Sequence, residues 1–177
     1  SVAKTMFPEA KIVADKFHVI RVVINSLENV RKRIQKEFHA TKRKWFKRSR
    51  YLLLKPEYKL TSEDKIELAR MLNSSYDLEK AYVLKERFYE VFRKQTRTEA
   101  KKELGNWLLL AADLSLPEFR HCITTFSNWK TEIANIIDER VSNGFIEGSN
   151  NKIKVLKRIS YGVRNFDRFR NRILYLE

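Results

Sequence analysis

The sequence predicts a mainly α-helical chain, with about seven helices and one short β-strand. Only 4 Gly and 3 Pro occur among 177 residues, which is few for a protein with many tight β-turns. Long segments are rich in Leu, Glu, Lys, Arg and Ala, and their apolar residues recur at steps of three and four. With 43% hydrophobic residues, the chain can bury the core of one domain, or of one domain with an inserted lobe.

The predicted elements begin with the strand. Residues 10–14 are β-prone after a turn at Pro8 and lead directly to Asp15. A helix is expected from Phe17 to about Glu37, because its apolar residues keep helical spacing. Further helices are expected over residues 61–73, 78–92, 98–112, 117–137 and 146–159, with a last one after a turn at 161–165.

The charge of the chain indicates a polyanionic partner. Its 37 Lys and Arg exceed its 22 Asp and Glu, for a formal net charge of +15 and a pI near 10.0. Residues 16–59 contain 14 basic and 3 acidic side chains, and residues 152–172 contain 8 basic and 1 acidic. Residues 61–103, in contrast, contain 10 basic and 9 acidic side chains. Nucleic acid is therefore favoured at the two flanks, and a membrane is not, since no lipidation signal or long apolar run occurs.

Cysteine usage limits the kinds of site that the chain can hold. Cys122 is the only cysteine, which excludes an internal disulfide and a zinc site built from cysteines. With no signal peptide visible, a reducing, intracellular compartment is expected.

Two acids stand apart from the ordinary surface acids. Asp15 follows the predicted strand, and His18 comes three residues later, so both can face one cleft. Glu147 begins a polar stripe on a predicted helix, followed on the same face by Asn150, Asn151, Lys154 and Arg158.

Carboxylates brought together from distant positions can hold two Mg²⁺ ions at a phosphodiester, with nearby cations on the phosphates. The alternative is structural, because Asp15 can cap the following helix and Glu147 can be an ordinary first-turn acid. Spacing alone leaves both interpretations open. His18 likewise has three options: to orient Asp15, to contact DNA, or to cap the helix.

A basic segment follows the first helix. Trp45 and Phe46 lie within it and either stack on bases or anchor the segment to the core. Its candidates for phosphate contacts are Lys42, Arg43, Lys44, Lys47, Arg48 and Arg50.

Two motifs of the chain are specific. Asn-Gly-Phe-x-Glu-Gly-x-Asn-Asn-Lys-x-Lys begins at Asn143, and Tyr-Gly-x-Arg-Asn-Phe begins at Tyr161. With residues 15–19 and 42–54, the segments 143–158 and 161–166 that contain these motifs closely resemble the ISL3 family of bacterial insertion-sequence transposases. The resemblance extends along essentially the whole chain.

The resemblance implies the C-terminal portion of an RNase H-like DDE catalytic domain. Asp15 would be its second acid and Glu147 its last, both as ligands of Mg²⁺ or Mn²⁺ in the complete enzyme. Residues 1–40 and 141–177 would belong to the catalytic core, and residues 41–140 would be a helical insertion. Double-stranded DNA from transposon ends and target is the expected partner, with a homodimer as an option. Besides the basic segment, the expected DNA contacts are His18, Asn150, Asn151, Lys154, Lys157, Arg158 and Arg164.

One departure from the family pattern bears on activity. No Asp precedes Asp15 in this sequence, and Glu9 beside Pro8 is a poor substitute for the first acid of the triad. We therefore expect this chain to be inactive by itself. The alternatives are a non-catalytic, basic helical module that binds nucleic acid, and a helical protein–protein scaffold.

Overall fold

A computed structural model describes residues 5–6, 8–139 and 144–175, and these fall into two compact units, Ser1–Arg140 and Val141–Glu177. The described residues contain ten α-helices and no β-strand. The helices of the first unit are α1 (Lys16–Ile34), α2 (Ala40–Arg48), α3 (Arg50–Leu54), α4 (Ser62–Leu72), α5 (Tyr76–Val91), α6 (Arg97–Leu114), α7 (Arg120–Asn128) and α8 (Lys130–Glu139). Those of the second unit are α9 (Gly144–Ile159) and α10 (Phe166–Leu174).

The mainly α class is confirmed, but the count of about seven helices is wrong. The basic segment, to which no helix was assigned, forms α2 and α3. The single helix expected over residues 117–137 is divided at Trp129, whose backbone leaves the helical region at φ −110° and ψ 20°. The Trp129 N–H still donates to the Thr125 carbonyl and its own carbonyl accepts from Ile133, so apolar spacing continues across the break.

The strand expected at residues 10–14 is not found, because this segment pairs with a helix and not with another strand. The Ala14 N–H donates to the Glu132 carbonyl at 3.0 Å. The side-chain amide of Asn135 donates to the Ile12 carbonyl at 2.8 Å. These bonds to α8 satisfy backbone groups that a sheet would otherwise satisfy.

The core of the first unit is centred on aromatic side chains from three helices. The Phe88 ring of α5 stacks on Phe126 of α7, with centroids 5.1 Å apart, and meets Trp107 of α6 edge-on at 5.0 Å. The Trp107 indole N–H donates to the Leu84 carbonyl at 2.8 Å, which satisfies its polar group inside the core.

Helix α1 contributes its apolar face to the same core. Val23, Leu27, Val30 and Ile34 are buried, as their helical spacing predicts. Helix α1 packs mainly against α5, and both lie in the first unit. The division of the chain into a catalytic core and an insertion at residue 41 stays a prediction. None of the helices within the described ranges has the length and apolar character of a membrane span.

A buried lysine joins α5 to the end of α3. Lys85 is 1% exposed, and its ammonium donates to the carbonyls of Leu53 at 2.9 Å and Lys55 at 2.8 Å. Its Nζ also lies 2.5 Å from Glu86 Oε1 and 4.2 Å from the centre of the Tyr82 ring. Burial lowers the pKa of Lys85, and the interaction with Glu86 partly opposes that shift.

The second unit is a pair of helices joined by a tight turn. Gly162 adopts φ +86°, a left-handed conformation that a side chain would strain. The Asn165 side chain accepts from the Arg168 N–H and caps α10. Arg172 of α10 donates to the Ser160 hydroxyl at 3.0 Å, which ties the two helices together. The expected turn is therefore confirmed.

Replacing Lys85 with Met should lower the free energy of unfolding by about 1–3 kcal/mol, because the two carbonyls and the Glu86 carboxylate lose a buried donor. The matched control is Lys101→Met on the exposed face of α6, for which we expect a change within about 0.5 kcal/mol. Denaturant titration of both variants measures the difference. Equal stability of the two variants would contradict the structural role of the ammonium.

Candidate active site and nucleic-acid interface

Asp15 lies at the start of α1 and caps it. Its backbone is extended, at φ −75° and ψ 118°, and its Oδ1 accepts from the His18 backbone N–H at 3.1 Å. The His18 Nδ1 lies 3.2 Å from the same oxygen. The Asp15 side chain is 23% exposed and the His18 side chain 74% exposed. The capping interpretation is confirmed, and it is compatible with a further role for the same carboxylate.

The backbone around Asp15 is fixed from both sides. Before it, Ala14 bonds to α8 through its N–H. After it, the Val19 N–H donates to the Asp15 carbonyl at 3.0 Å, and the Val19 side chain is buried in the core. The Asp15 carboxylate is therefore attached to a rigidly held backbone, which a metal ligand requires.

Glu147 lies in the first turn of α9 and its side chain is exposed. Four other polar side chains follow it on the same face, as the helical spacing predicts: Asn150, Asn151, Lys154 and Arg158, all of them exposed. Within the described residues, the Glu147 carboxylate makes no ion pair. Asn143, which could cap this helix, lies outside the described residues.

The two candidate acids belong to different units, Asp15 to the first and Glu147 to the second. Their proximity therefore stays a prediction. Among the described residues no three His, Cys, Asp or Glu side chains group so as to hold a metal ion. The two acids nevertheless suit Mg²⁺, which prefers oxygen ligands and commonly binds one or two carboxylates together with substrate phosphates and water.

The structure divides the six cations of the basic segment into two groups. Three have partners inside the protein. Arg43 donates to the carbonyls of Gln35 at 3.3 Å and Lys36 at 3.2 Å. The Lys42 ammonium lies 4.0 Å from the centre of the Phe38 ring. Arg50 lies 4.0 Å from Glu28, so its charge is partly compensated.

The other three cations of the basic segment are Lys44, Lys47 and Arg48, and all are exposed. Their spacing of three and four residues places them on one face of α2, opposite Phe46, which is fully buried. No ion pair engages them within the described chain. This face is the part of the segment best suited to phosphate contacts.

The two aromatic residues of the segment are anchors. Phe46 packs edge-on against Phe38 at 4.8 Å and against Trp45 at 5.2 Å. The Trp45 indole N–H donates to the Glu67 carboxylate on α4. Phe46 is fully buried and the partly buried Trp45 packs against the same core, so the anchoring alternative is confirmed.

The second unit carries further exposed cations. Of the expected DNA contacts, Lys157 and Arg164 are exposed. Lys152, Arg168 and Arg170 are exposed as well, and none of them was among the expected contacts. Lys152 belongs to the motif that begins at Asn143, whereas the excess of basic residues over residues 152–172 was the only sequence signal for Arg168 and Arg170.

Cys122 is a core residue. It is fully buried, its Sγ lies 3.2 Å from the Ser26 hydroxyl, and burial raises its pKa to about 11. His121 beside it is exposed. The two therefore do not form a nucleophilic pair.

Comparison with known proteins decides the family. The family model described as a transposase, the ISL3 group of DDE transposases, matches residues 1–173. The chain belongs to the ISL3 transposase family. No solved structure gives a significant match to this ISL3 chain.

Two curated relatives of this ISL3 transposase chain are themselves transposases. The transposase for insertion sequence element IS1557 of Mycobacterium tuberculosis is 29% identical to it over 181 residues, 89% of this chain and 40% of the relative. The transposase for insertion sequence element IS1001 of Bordetella parapertussis is 27% identical over 92% of this chain and 41% of the relative. The chain thus spans about two fifths of the length of these relatives.

A third relative carries a different name. A protein named ATP-dependent protease from Lactococcus lactis subsp. lactis is 36% identical over 94 residues, 52% of this chain and 26% of that protein. This match covers too little of either chain to bear on the family.

Removal of the Asp15 cap should destabilise the chain. Asp15→Ala should lower the free energy of unfolding by about 0.5–2 kcal/mol, because the His18 N–H loses its acceptor. Asp15→Asn should change it by no more than a few tenths of a kcal/mol, since Asn is an equally good cap. Denaturant titration of this chain compares the two variants. Wild-type stability in Asp15→Ala would show that the cap contributes nothing.

Proposed function

We propose that this chain supplies two metal-binding acids and part of the DNA-binding surface of an insertion-sequence transposase. The acids are Asp15 and Glu147, and the DNA is that of the transposon ends and the target. The complete protein would hydrolyse phosphodiesters at the transposon ends and then join the freed 3′-hydroxyl to target DNA. The observation that supports this most strongly is the exposed polar face of α9.

That face combines the two chemical groups that phosphoryl transfer needs. The Glu147 carboxylate lies in the first turn, and the cations Lys154 and Arg158 follow it two and three turns later. Here the carboxylate can hold a cation at one end, while Lys154 and Arg158 contact phosphates further along the helix.

Asp15 and Glu147 would hold Mg²⁺, which when bound would supply activation of the attacking hydroxyl and charge stabilisation of the leaving oxygen. The role of the protein in the reaction is to hold the carboxylate oxygens in fixed positions and to bind the DNA backbone. Asp15 contributes through a backbone fixed by α1 and α8. Helix α2, which is distant from both acids in the sequence, contributes further phosphate contacts through Lys44, Lys47 and Arg48.

In this proposal, residues 1–40 and 141–177 belong to an RNase H-like catalytic core, and residues 41–140 form an insertion. Helix α1 shares its core with α5 of the insertion. The insertion would therefore stabilise the helix that begins next to Asp15, in addition to enlarging the DNA-binding surface.

A non-catalytic DNA-binding module is the second candidate. The observation in its favour is the capping bond from the His18 N–H to Asp15, which explains the acid without catalysis. Both candidates predict salt-sensitive DNA binding. They differ in whether the carboxylate charge of Asp15 and Glu147 is needed for reaction.

In the complete transposase, Asp15→Asn and Glu147→Gln should each reduce Mg²⁺-dependent cleavage at transposon ends by about 100-fold or more, since a metal ligand contributes several kcal/mol. Both changes keep side-chain size, and Asn keeps the cap. The matched control is Asp167→Asn, an exposed first-turn acid of α10, which should cleave at the wild-type rate. Full cleavage by the Asp15 and Glu147 variants would instead favour the non-catalytic module.

The exposed face of α2 can be tested with this chain alone. Lys44→Ala with Lys47→Ala should weaken binding to duplex DNA and reduce the slope of log K against log salt by about 0.9 for each phosphate that the variant no longer neutralises. The control is Lys101→Ala with Lys102→Ala, which removes the same charge from two exposed lysines of α6. Fluorescence anisotropy at several salt concentrations gives both slopes. Equal slopes for the two pairs would mean that α2 has no particular role in DNA binding.

A further inference from the structure

The turn between α9 and α10 exposes a tyrosine whose backbone is strained. Tyr161 adopts φ +44°, in the left-handed region, and the residue is 95% exposed. We propose that this turn, residues 161–166, is a binding site for unpaired bases of DNA, in which the Tyr161 ring stacks on a base. This inference rests on the proposed function, in which the chain binds DNA, and adds a base contact to the proposed phosphate contacts.

The end of α9 does not require a tyrosine. A left-handed residue commonly ends a helix, but glycine adopts that conformation without the strain that a bulky side chain brings. Ser115 has the other positive φ among the described non-glycine residues, at +53°, and its hydroxyl donates to the Ala112 carbonyl at 2.8 Å. The Tyr161 side chain has no such hydrogen bond and no ring contact within the described part of the chain. Neither local bonding nor burial therefore offsets the strain at Tyr161.

The backbone on both sides of Tyr161 is held in place. Before it, the buried Ser160 donates to the Leu156 carbonyl through its N–H at 3.0 Å and through its hydroxyl at 2.7 Å. The same hydroxyl accepts from Arg172 of α10 at 3.0 Å. After it, Asn165 caps α10. The turn therefore presents the ring from a fixed backbone, so that little entropy is lost when the ring binds.

The surroundings of the ring suit nucleic acid. Residues 157–172 contain 6 basic side chains and 1 acidic side chain. Arg164 is exposed within the turn, and Phe166 at the other end of the turn is 74% exposed. Sites for single-stranded nucleic acid combine cations that contact phosphates with aromatic rings on which bases stack. The excess of cations favours a polyanion over a second copy of this chain, whose net charge is +15.

Unpaired or terminal bases are the form of DNA that an exposed ring can stack on. Inside a duplex the faces of each base are covered by its neighbours, so contact with a face requires a base that has left the stack or lies at a strand end. The proposed reaction frees a 3′-hydroxyl at such an end. The turn therefore suits the cleaved end of the transposon.

Three DNA probes test the contact with this chain, by fluorescence anisotropy. The first is a fully paired duplex, and the second is the same duplex with a short single-stranded 3′ end. In the third, that end consists of abasic nucleotides, which keep the phosphates and lack the bases. The wild type should bind the end with bases about 5-fold or more tightly than the abasic end, because stacking requires the base.

Substitutions assign this preference to the ring. Tyr161→Gly removes the ring and relieves the strained φ, so it should bind the two single-stranded ends equally, with a thermal midpoint no lower than that of the wild type. Tyr161→Phe keeps the ring and should keep the preference. The matched control is Tyr175→Ala, which removes a tyrosine that is 86% exposed at the far end of α10 and should also keep the preference.

The outcomes distinguish the two proposals. If the wild type binds all three probes in a salt-dependent way but equally well, or if Tyr161→Gly keeps the preference, base stacking is overturned and the proposed function stands. If Tyr161→Gly lowers the thermal midpoint or changes the oligomeric state, the ring contacts protein, and the inference is again overturned. If the wild type shows no salt-dependent binding to any probe, it is the proposed function that fails.

Discussion

The burial of α1 against α5 is the constraint on which the candidate site depends. Leu27 and Val30 are fully buried in the core that these helices share. Arg33 strengthens the packing from the side, through bonds to Asp77 of α5 at 2.8 Å and to Glu118 at 2.6 Å. The start of α1, where Asp15 lies, is therefore held by packing several turns away. Asp15 also meets the positive end of the helix dipole, which favours the ionised carboxylate that metal binding requires.

The candidate site could be predicted only in part, because sequence identifies residue types more readily than partners. The acidic residue before a helical run pointed to Asp15, and its use as a cap follows from the same pattern. The basic segment is evident from its composition, whereas its role in DNA binding stays a prediction. Arg43 and Lys44 are neighbours with the same charge, yet only Arg43 bonds to carbonyls at the end of the preceding helix. That difference depends on a local turn that spacing does not reveal.

The fold was predictable where one face of a helix is apolar over several turns, as in α1 and α5. It was not predictable where a distant residue supplies the hydrogen bond. The β-prone run around Ile12 bonds to Asn135, which lies 123 positions away, so local propensity favoured the wrong element. Trp129 divides a helix without interrupting the apolar spacing, and for that reason α7 and α8 were predicted as one.

If Asp15 and Glu147 bind the same catalytic cations, exchange of an oxygen ligand for sulfur at either residue should change which cation supports the reaction. Asp15→Cys and Glu147→Cys would be prepared in the complete transposase, and cleavage measured with Mg²⁺, Mn²⁺ and Cd²⁺. A thiolate is a poor ligand for Mg²⁺ but a good one for softer cations. We expect both variants to be inactive with Mg²⁺ and to regain cleavage with a softer cation. Normal cleavage with Mg²⁺ by either variant would contradict this expectation.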